Sequence, residues 1–203
     1  MGANPYIGYR NALENRYELD IYDAERQFAI EYDGIFWHNE NCKPKDYHLK
    51  KTVECEEKGI RLVHIFEDEW KDTVKQDIWK SMLANFYNKT PNKVFARKCE
   101  IREIEKRECY DFLDENHLQG KCASKIRIGL FFENELVSVM TFGPTRHFIG
   151  GSKHQYELLR FCSKKYTNVI GGAGKLFKYF VERYKPQSIV SYADTPIFLL
   201  KQV

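Results

Sequence analysis

The sequence predicts an α/β (α+β) fold in two units, and three observations support this class. Strand-like and helix-like stretches alternate along the whole chain of 203 residues. A polar, proline-containing stretch, "NKTPNK" at 88–93, separates two groups of them. The charge divides there too: residues 1–90 hold 13 Lys and Arg against 17 Asp and Glu, a net −4, and residues 91–203 hold 19 against 12, a net +7. We therefore predict domains over 1–90 and 91–203.

In the first domain, two strands near 17–22 and 27–33 are joined by the polar turn "DAER". A helix over 46–58 ends at Gly59 and leads into the strand "IRLVHIF". One helix follows in "EWKDTVKQDIWKSMLANFYN", where apolar residues recur at four-residue spacing. The stripe consists of Trp70, Val74, Ile78, Met82 and Phe86.

In the second domain, "VFARKCEIREI" predicts a strand and "EKRECYDFLDENH" a short helix. The segment "SKIRIGLFFENELVSVMTFG" predicts a hairpin around a polar turn. A strand "YELLRFC", a glycine-rich turn, the helix "GGAGKLFKYFVERYKP" and a strand "SIVSYAD" complete this mixed unit.

Composition excludes several classes of protein. No apolar stretch approaches the roughly 20 residues that a membrane span needs, and the N-terminus lacks the apolar core of a signal peptide. Six cysteines are scattered without a C-x-x-C pair, which favours reduced thiols over a disulfide framework or a cysteine-rich zinc site. We expect a cytoplasmic protein with no membrane partner, and a homodimer is compatible with the sequence.

The predicted first hairpin carries acids on one face. Side chains alternate along a strand, so Glu18 and Asp20 point one way on the first strand, and Glu31 and Asp33 share a face on the second. Facing carboxylates destabilise a sheet unless a cation neutralises them. Oxygen ligands completed by water and phosphate suit Mg²⁺, which Mn²⁺ could replace. Asp20 and Glu31 are therefore candidate metal ligands.

Basic and imidazole groups follow this hairpin. His38 comes after the bend at Gly34 and can serve as general acid or base near the metal. His48 and Lys51 are three residues apart on the next predicted helix and could face the same site. Taken singly, each residue has an ordinary explanation as a solvated strand edge or a packing histidine. Their combination favours a site.

Four strings in order, "ELDIY", "AIEYDGIFWH", "KDYHLKKT" and "KGIRLVHIFEDEW", resemble the very short patch repair endonuclease-like branch of the PD-(D/E)XK nucleases, including phage and homing endonucleases. The resemblance covers roughly residues 15–72. It implies a mixed sheet flanked by helices, metal-dependent cleavage of double-stranded DNA, and a bacterial or phage-infected host cell.

The resemblance also implies roles for residues. Asp20 matches the metal-binding aspartate, Glu31 the acid of the D…(E/D)xK pattern, and His38 a histidine of the catalytic site. Asp33 stands where the pattern has lysine, and His48 where the repair enzymes have aspartate; Lys51 could replace the missing lysine.

Two departures from the family follow. Only Cys42 aligns with a ligand of the family's structural zinc, while the other places hold Ile35, Glu40 and Asp68, so no structural zinc is expected. The family's helix ahead of the first strand is expected to be short or absent. These departures leave open a DNA-binding protein with impaired catalysis.

The glycine-rich turn of the second domain, "TNVIGGAGKLF", offers free N–H groups that suit a phosphate. Read as Asn168-x-x-Gly171-x-Ala173, it resembles the pyrophosphate loop of GNAT-type acyltransferases over about residues 94–194. That fold normally continues past "SYAD", so an incomplete GNAT-like unit is expected. Acetyl-CoA is not expected as a cofactor, although an acyltransferase stays a further alternative.

Basic residues in the second domain predict a phosphate-contacting surface for DNA, interleaved with aromatic residues. The ordinary alternative is a solvated face. The candidates are Arg146, Lys153, Arg160, Lys164, Lys165, Lys175 and Lys178.

Overall fold

A computed structural model describes residues 4–34, 47–145 and 155–192 of the chain; of residues 47 and 48 it describes the backbone alone. The predicted α/β (α+β) class is confirmed, with helices and mixed sheets in both halves. The chain divides into two compact units between Asp72 and Thr73. This division lies before the helix that we assigned to the first domain, not in the stretch 88–93.

The first unit contains three strands, a helix, a fourth strand and a short helix. These are β1 (Tyr6–Tyr9), β2 (Leu19–Asp23), β3 (Phe28–Asp33), α1 (Tyr47–Glu57), β4 (Arg61–Phe66) and α2 (Glu67–Lys71). They form a sheet in the order β1-β2-β3-β4, in which the first two pairings are antiparallel and β3 pairs with β4 in parallel. Helix α1 is thus the crossover between two adjacent parallel strands.

The end of α1 follows directly from the sequence. Gly59 has φ +71°, and its N–H bonds the Glu56 carbonyl at 3.0 Å, while the Ile60 N–H bonds the Cys55 carbonyl at 2.8 Å. This pair of bonds is the Schellman motif, whose left-handed residue is usually glycine. Cys55 and Ile60 then share the apolar core of the unit. The predicted stop at Gly59 is confirmed.

The second unit holds the remaining described elements. These are α3 (Thr73–Phe86), β5 (Asn92–Phe95), β6 (Glu100–Glu103), α4 (Lys106–Asn116), β7 (Ile126–Phe132), β8 (Glu135–Pro144), β9 (Tyr156–Ser163), β10 (Thr167–Ile170), α5 (Gly172–Tyr184) and β11 (Ile189–Ser191). Five strands form a sheet in the order β11-β9-β8-β7-β6, and β10 and β5 form a separate parallel pair. Two apolar clusters are buried here, one with α5 and one with α4.

Three predictions of local structure were wrong. The single helix expected over "EWKDTVKQDIWKSMLANFYN" is broken at Asp72, which is extended (ψ 119°), into α2 and α3. In α3 the buried residues are Ile78 and Trp79, whereas Val74 of the expected stripe is 45% exposed. The stretch 88–93 is not only a linker, because Asn92 begins β5, and β5 pairs with the unpredicted β10.

The division before α3 has a local cause. The Ser81 hydroxyl of α3 accepts the Tyr166 N–H at 2.7 Å, and Asp77 binds the Tyr166 hydroxyl at 2.6 Å and the Lys165 ammonium at 2.7 Å. These contacts join α3 to the turn before β10.

No helix among the described residues is both long and apolar enough to cross a membrane.

Phe180 of α5 fixes the core of the second unit, and its removal provides a test of the fold. The ring is fully buried and stacks on Phe142 with centroids 3.5 Å apart. We expect Phe180→Ala to lower the free energy of unfolding by about 3–5 kcal/mol, because it leaves a cavity. Phe177→Ala is the matched control, since Phe177 is 40% exposed on the same helix. Urea unfolding followed by circular dichroism measures both, and equal losses would contradict this packing.

Candidate functional site

The polar cluster of the first unit lies at one end of one sheet face. The register pairs Tyr22 with Ala29 across the antiparallel strands and Ala29 with Leu62 across the parallel ones. These three buried apolar residues belong to one core cluster. Two residues further along the strands, the same face presents Asp20, Glu31 and His64, because side chains repeat every second residue. The face is therefore apolar at one end and polar at the other.

Helix α1 packs on this face and spans both ends. Cys55 lies in the apolar cluster with Ala29, and Lys51, one turn earlier, reaches Glu31. Four helical residues advance about 6 Å and two strand residues about 7 Å, so the two spacings match. Apolar packing of Cys55 on Ala29 thus places the Lys51 side chain over Glu31.

Glu31 is the centre of the cluster. Its Oε1 accepts the Asp20 N–H at 3.2 Å, and its Oε2 lies 2.5 Å from the Lys51 ammonium. Lys51 is only 2% exposed. The Asp20 Oδ2 in turn accepts the Tyr32 N–H at 2.8 Å. Two carboxylates on neighbouring strands therefore lie together at the polar end of this face, and the buried Lys51 ammonium lies against Glu31.

Burial raises the pKa of Glu31 above its usual 4.5. The Lys51 ammonium opposes this shift by its charge and its hydrogen bond, and the Asp20 N–H opposes it weakly, whereas the Asp20 carboxylate adds to it. Desolvation wins because the carboxylate has lost most of its water. The ionised form of Glu31 therefore depends on a nearby cation.

A second buried pair lies beside the first. His64 Nδ1 is 2.7 Å from Asp33 Oδ2, and His64 Nε2 is 3.3 Å from the Thr52 hydroxyl of α1. If His64 Nδ1 donates a hydrogen bond to Asp33, Nε2 can accept a hydrogen bond from the Thr52 hydroxyl. The chain Asp33–His64–Thr52 thus links β3, β4 and α1. Like Glu31 and Lys51, its members hold the helix at one position on the sheet.

Of the six candidate catalytic residues, the structure joins Asp20, Glu31 and Lys51 in one set of contacts and places Asp33 in a separate pair with His64. His38 lies outside the described residues, as does the side chain of His48, and their roles stay predictions. No described group of three or more His, Cys, Asp or Glu side chains could hold a metal ion alone. Ahead of β2, where the nuclease family has a helix, the described residues form β1.

The sequence analysis missed His64 and Thr52. His64 stands in "IRLVHIF" as one polar residue within an apolar strand, where a packing histidine is the ordinary interpretation. The available signal was its position: β3 and β4 were both predicted, and a parallel pairing of the two sets His64 beside Glu31. Thr52 follows Lys51 directly and carries no sequence signal of its own.

In the second unit, the predicted basic residues that the structure describes mostly bind protein groups. Lys164 pairs with Glu135, Lys165 with Asp77, and Lys178 with Glu182. Arg160 donates to backbone carbonyls of Leu159 and Gly120, and Lys175 to those of Ala96 and Cys99. Arg146 and Lys153 lie outside the described residues. Each described candidate therefore has a partner within the protein, and a surface that contacts DNA stays a prediction.

The glycine-rich turn is built largely as its sequence predicts. Gly171 has φ +77° and precedes the first turn of α5, in which Ala173 is exposed. Asn168, however, lies within β10 beside Lys93 of β5. An acyltransferase function stays a prediction. No protein-family model, curated protein or solved structure matches the chain.

Replacing Lys51 tests the buried ion pair. We expect Lys51→Met to lower the free energy of unfolding by about 3–5 kcal/mol, because the buried Glu31 carboxyl loses its only described cationic partner. The double variant Lys51→Met/Glu31→Leu should recover most of that loss. The control is Lys58→Met, whose partner Glu14 is 84% exposed, and it should cost about 1 kcal/mol or less. Urea unfolding in EDTA measures all three, and equal losses in both single variants would contradict the pair.

His117, after α4, predicts a pH dependence of stability. Burial, aided by Arg160, lowers its pKa from 6.5 to about 4, and its Nδ1 accepts the Gln119 N–H at 3.1 Å. The unfolded chain therefore binds a proton between those values that the folded chain does not. We expect stability to fall by about 2 kcal/mol from pH 7 to pH 5 through this group. The His117→Gln variant should lack that component, and parallel pH profiles would contradict it.

Proposed function

We propose that the first unit is a Mg²⁺-dependent endonuclease that hydrolyses phosphodiester bonds of double-stranded DNA, of the type found in phages and mobile elements. The observation that carries the proposal is the position of Glu31, which lies between the Asp20 N–H and the Lys51 ammonium at the polar end of one sheet face. Two carboxylates and a lysine are the side chains that the D…(E/D)xK pattern requires. Here the lysine comes from α1, as the resemblance implied for Lys51.

Asp20 and Glu31 fit a magnesium ion that has two carboxylate ligands from the protein and takes its other ligands from water and substrate. Asp20 and Glu31 offer hard oxygen donors, and Asp20 Oδ1 accepts no hydrogen bond from the described part of the chain. Two carboxylates leave most of an octahedral shell to water and substrate phosphate, which is how Mg²⁺ is commonly bound. Bound there, the ion would activate water and stabilise charge on the phosphate. Manganese could replace it.

The other residues have roles that follow from their contacts. The Lys51 ammonium is positioned to stabilise negative charge that develops on a phosphate beside Glu31. Asp33 orients His64 through a hydrogen bond. The hydrogen bond between His64 and Thr52 fixes the position of α1 on the sheet. His38 is proposed as the general acid or base, and His48 as a residue that orients water.

A second candidate is a DNA-binding protein without cleavage activity. One observation favours it: the Lys51 ammonium already neutralises Glu31, so the buried cluster is satisfied without a metal ion. Salt-sensitive DNA binding without turnover in Mg²⁺ or Mn²⁺ would support this candidate, and metal-dependent turnover would exclude it.

Cleavage of supercoiled plasmid in Mg²⁺ tests the nuclease. We expect Asp20→Asn and Lys51→Met each to lower the rate by about 100-fold or more, because each removes a group placed against the reacting phosphate. His38→Ala should also abolish cleavage. The matched control is Glu25→Gln, which removes the same charge from the exposed turn of the hairpin and should leave the rate unchanged. Cleavage by the Asp20 and Lys51 variants at the wild-type rate would sink the assignment.

A further inference from the structure

The parallel pair β5 and β10 has one buried and one open face. Val94 and Val169 lie side by side and point into the core of the second unit. The alternate residues lie on the other face, where Lys93 is beside Asn168 and Phe95 is beside Ile170. Phe95 is 39% exposed and Ile170 38%. We call this surface, with Arg97 that follows it, the β5–β10 face.

Two cations belong to this open face, Lys93 of β5 and Arg97 just after it. The Arg97 guanidinium lies over the Phe95 ring, 5.1 Å from its centroid. The segment 78–99, which contains β5, holds five Lys and Arg and no Asp or Glu, although 29 of the chain's 203 residues are acidic.

The acids that flank the segment 78–99 are paired with cations, Asp77 with Lys165 and Glu100 with Arg102. The five Lys and Arg of 158–181 have partners within the protein. Residues 73–192 together hold 21 basic and 12 acidic residues, a net charge of +9.

We propose that the β5–β10 face binds a single-stranded nucleic acid. An exposed aromatic ring on a sheet face offers a stacking platform for an unpaired base, and neighbouring cations attract the phosphates. The Asn168 amide can hydrogen-bond a base edge. A duplex hides its base faces and could use the charges but not the Phe95 ring. An acidic peptide likewise lacks a planar group that stacks. The proposal is independent of whether the first unit cleaves DNA.

Fluorescence anisotropy with labelled 20-residue oligothymidylate tests this face, using the full chain in EDTA so that no cleavage occurs. We expect Phe95→Ala to weaken binding about tenfold, since one stacked base is lost. Phe95→Trp should bind as tightly as the wild type. Lys93→Gln/Arg97→Gln should weaken binding and reduce its dependence on salt by about two phosphate contacts. Thermal unfolding checks that each variant is folded.

Two matched controls make the test specific. Phe177→Ala removes an equally exposed ring elsewhere in the unit, and Arg107→Gln removes an exposed charge from α4. Both should bind oligothymidylate as the wild type does. Wild-type binding by Phe95→Ala, an equal loss in Phe177→Ala, or equal competition by polyglutamate would each overturn the proposal. A plasmid nuclease that fails to bind oligothymidylate would overturn it while leaving the proposed function intact.

Discussion

The ion pair between Glu31 and Lys51 is the interaction on which the first unit depends. Both groups are buried, and a buried charge without its partner is strongly destabilising. The pair forms only if three placements agree: the register of β2 on β3, the parallel pairing of β3 with β4, and the position of α1 along the sheet. The shared apolar cluster of Ala29 and Cys55 and the stop at Gly59 set that last placement. The cluster is therefore a consequence of ordinary packing.

The same arrangement explains why a buried acid is kept there. A structural role alone would be served as well by apolar residues of similar size, which often match or exceed a buried ion pair in stability. Glu31 and Lys51 lie instead beside a second carboxylate, Asp20, that has an oxygen free of hydrogen bonds from the described part of the chain. The proposed chemistry on a phosphate would give these charges a use that packing does not. This is the physical reason for preferring a nuclease to an inert fold.

Sequence reasoning found the acid-bearing hairpin because strand alternation fixes which residues share a face. It found Lys51 because helical spacing set it near the predicted site. It missed His64, since one polar residue in an apolar strand looks like core, and its partner Asp33 is 31 positions away. It predicted β5 and β6 as one strand over "VFARKCEIREI" and missed β10, because strands of four residues carry too little pattern to fix their ends or to distinguish them from linkers. The break at Asp72 interrupts an otherwise helical sequence and has no breaker residue.

The two units differ in net charge. If the proposed function holds, this difference affects which unit attracts DNA. Residues 1–72 hold 10 basic and 16 acidic residues, a net −6, so the first unit by itself repels a polyanion. A metal ion bound by Asp20 and Glu31 would offset part of that repulsion at the proposed site. The second unit, with its positive charge, is suited to supply general affinity for nucleic acid.

Mn²⁺ titration followed by electron paramagnetic resonance measures whether Asp20 and Glu31 bind a metal ion. We expect one Mn²⁺ site in the wild type that Mg²⁺ displaces, and loss of that site in Asp20→Asn. Equal Mn²⁺ binding by the wild type and Asp20→Asn would contradict this expectation.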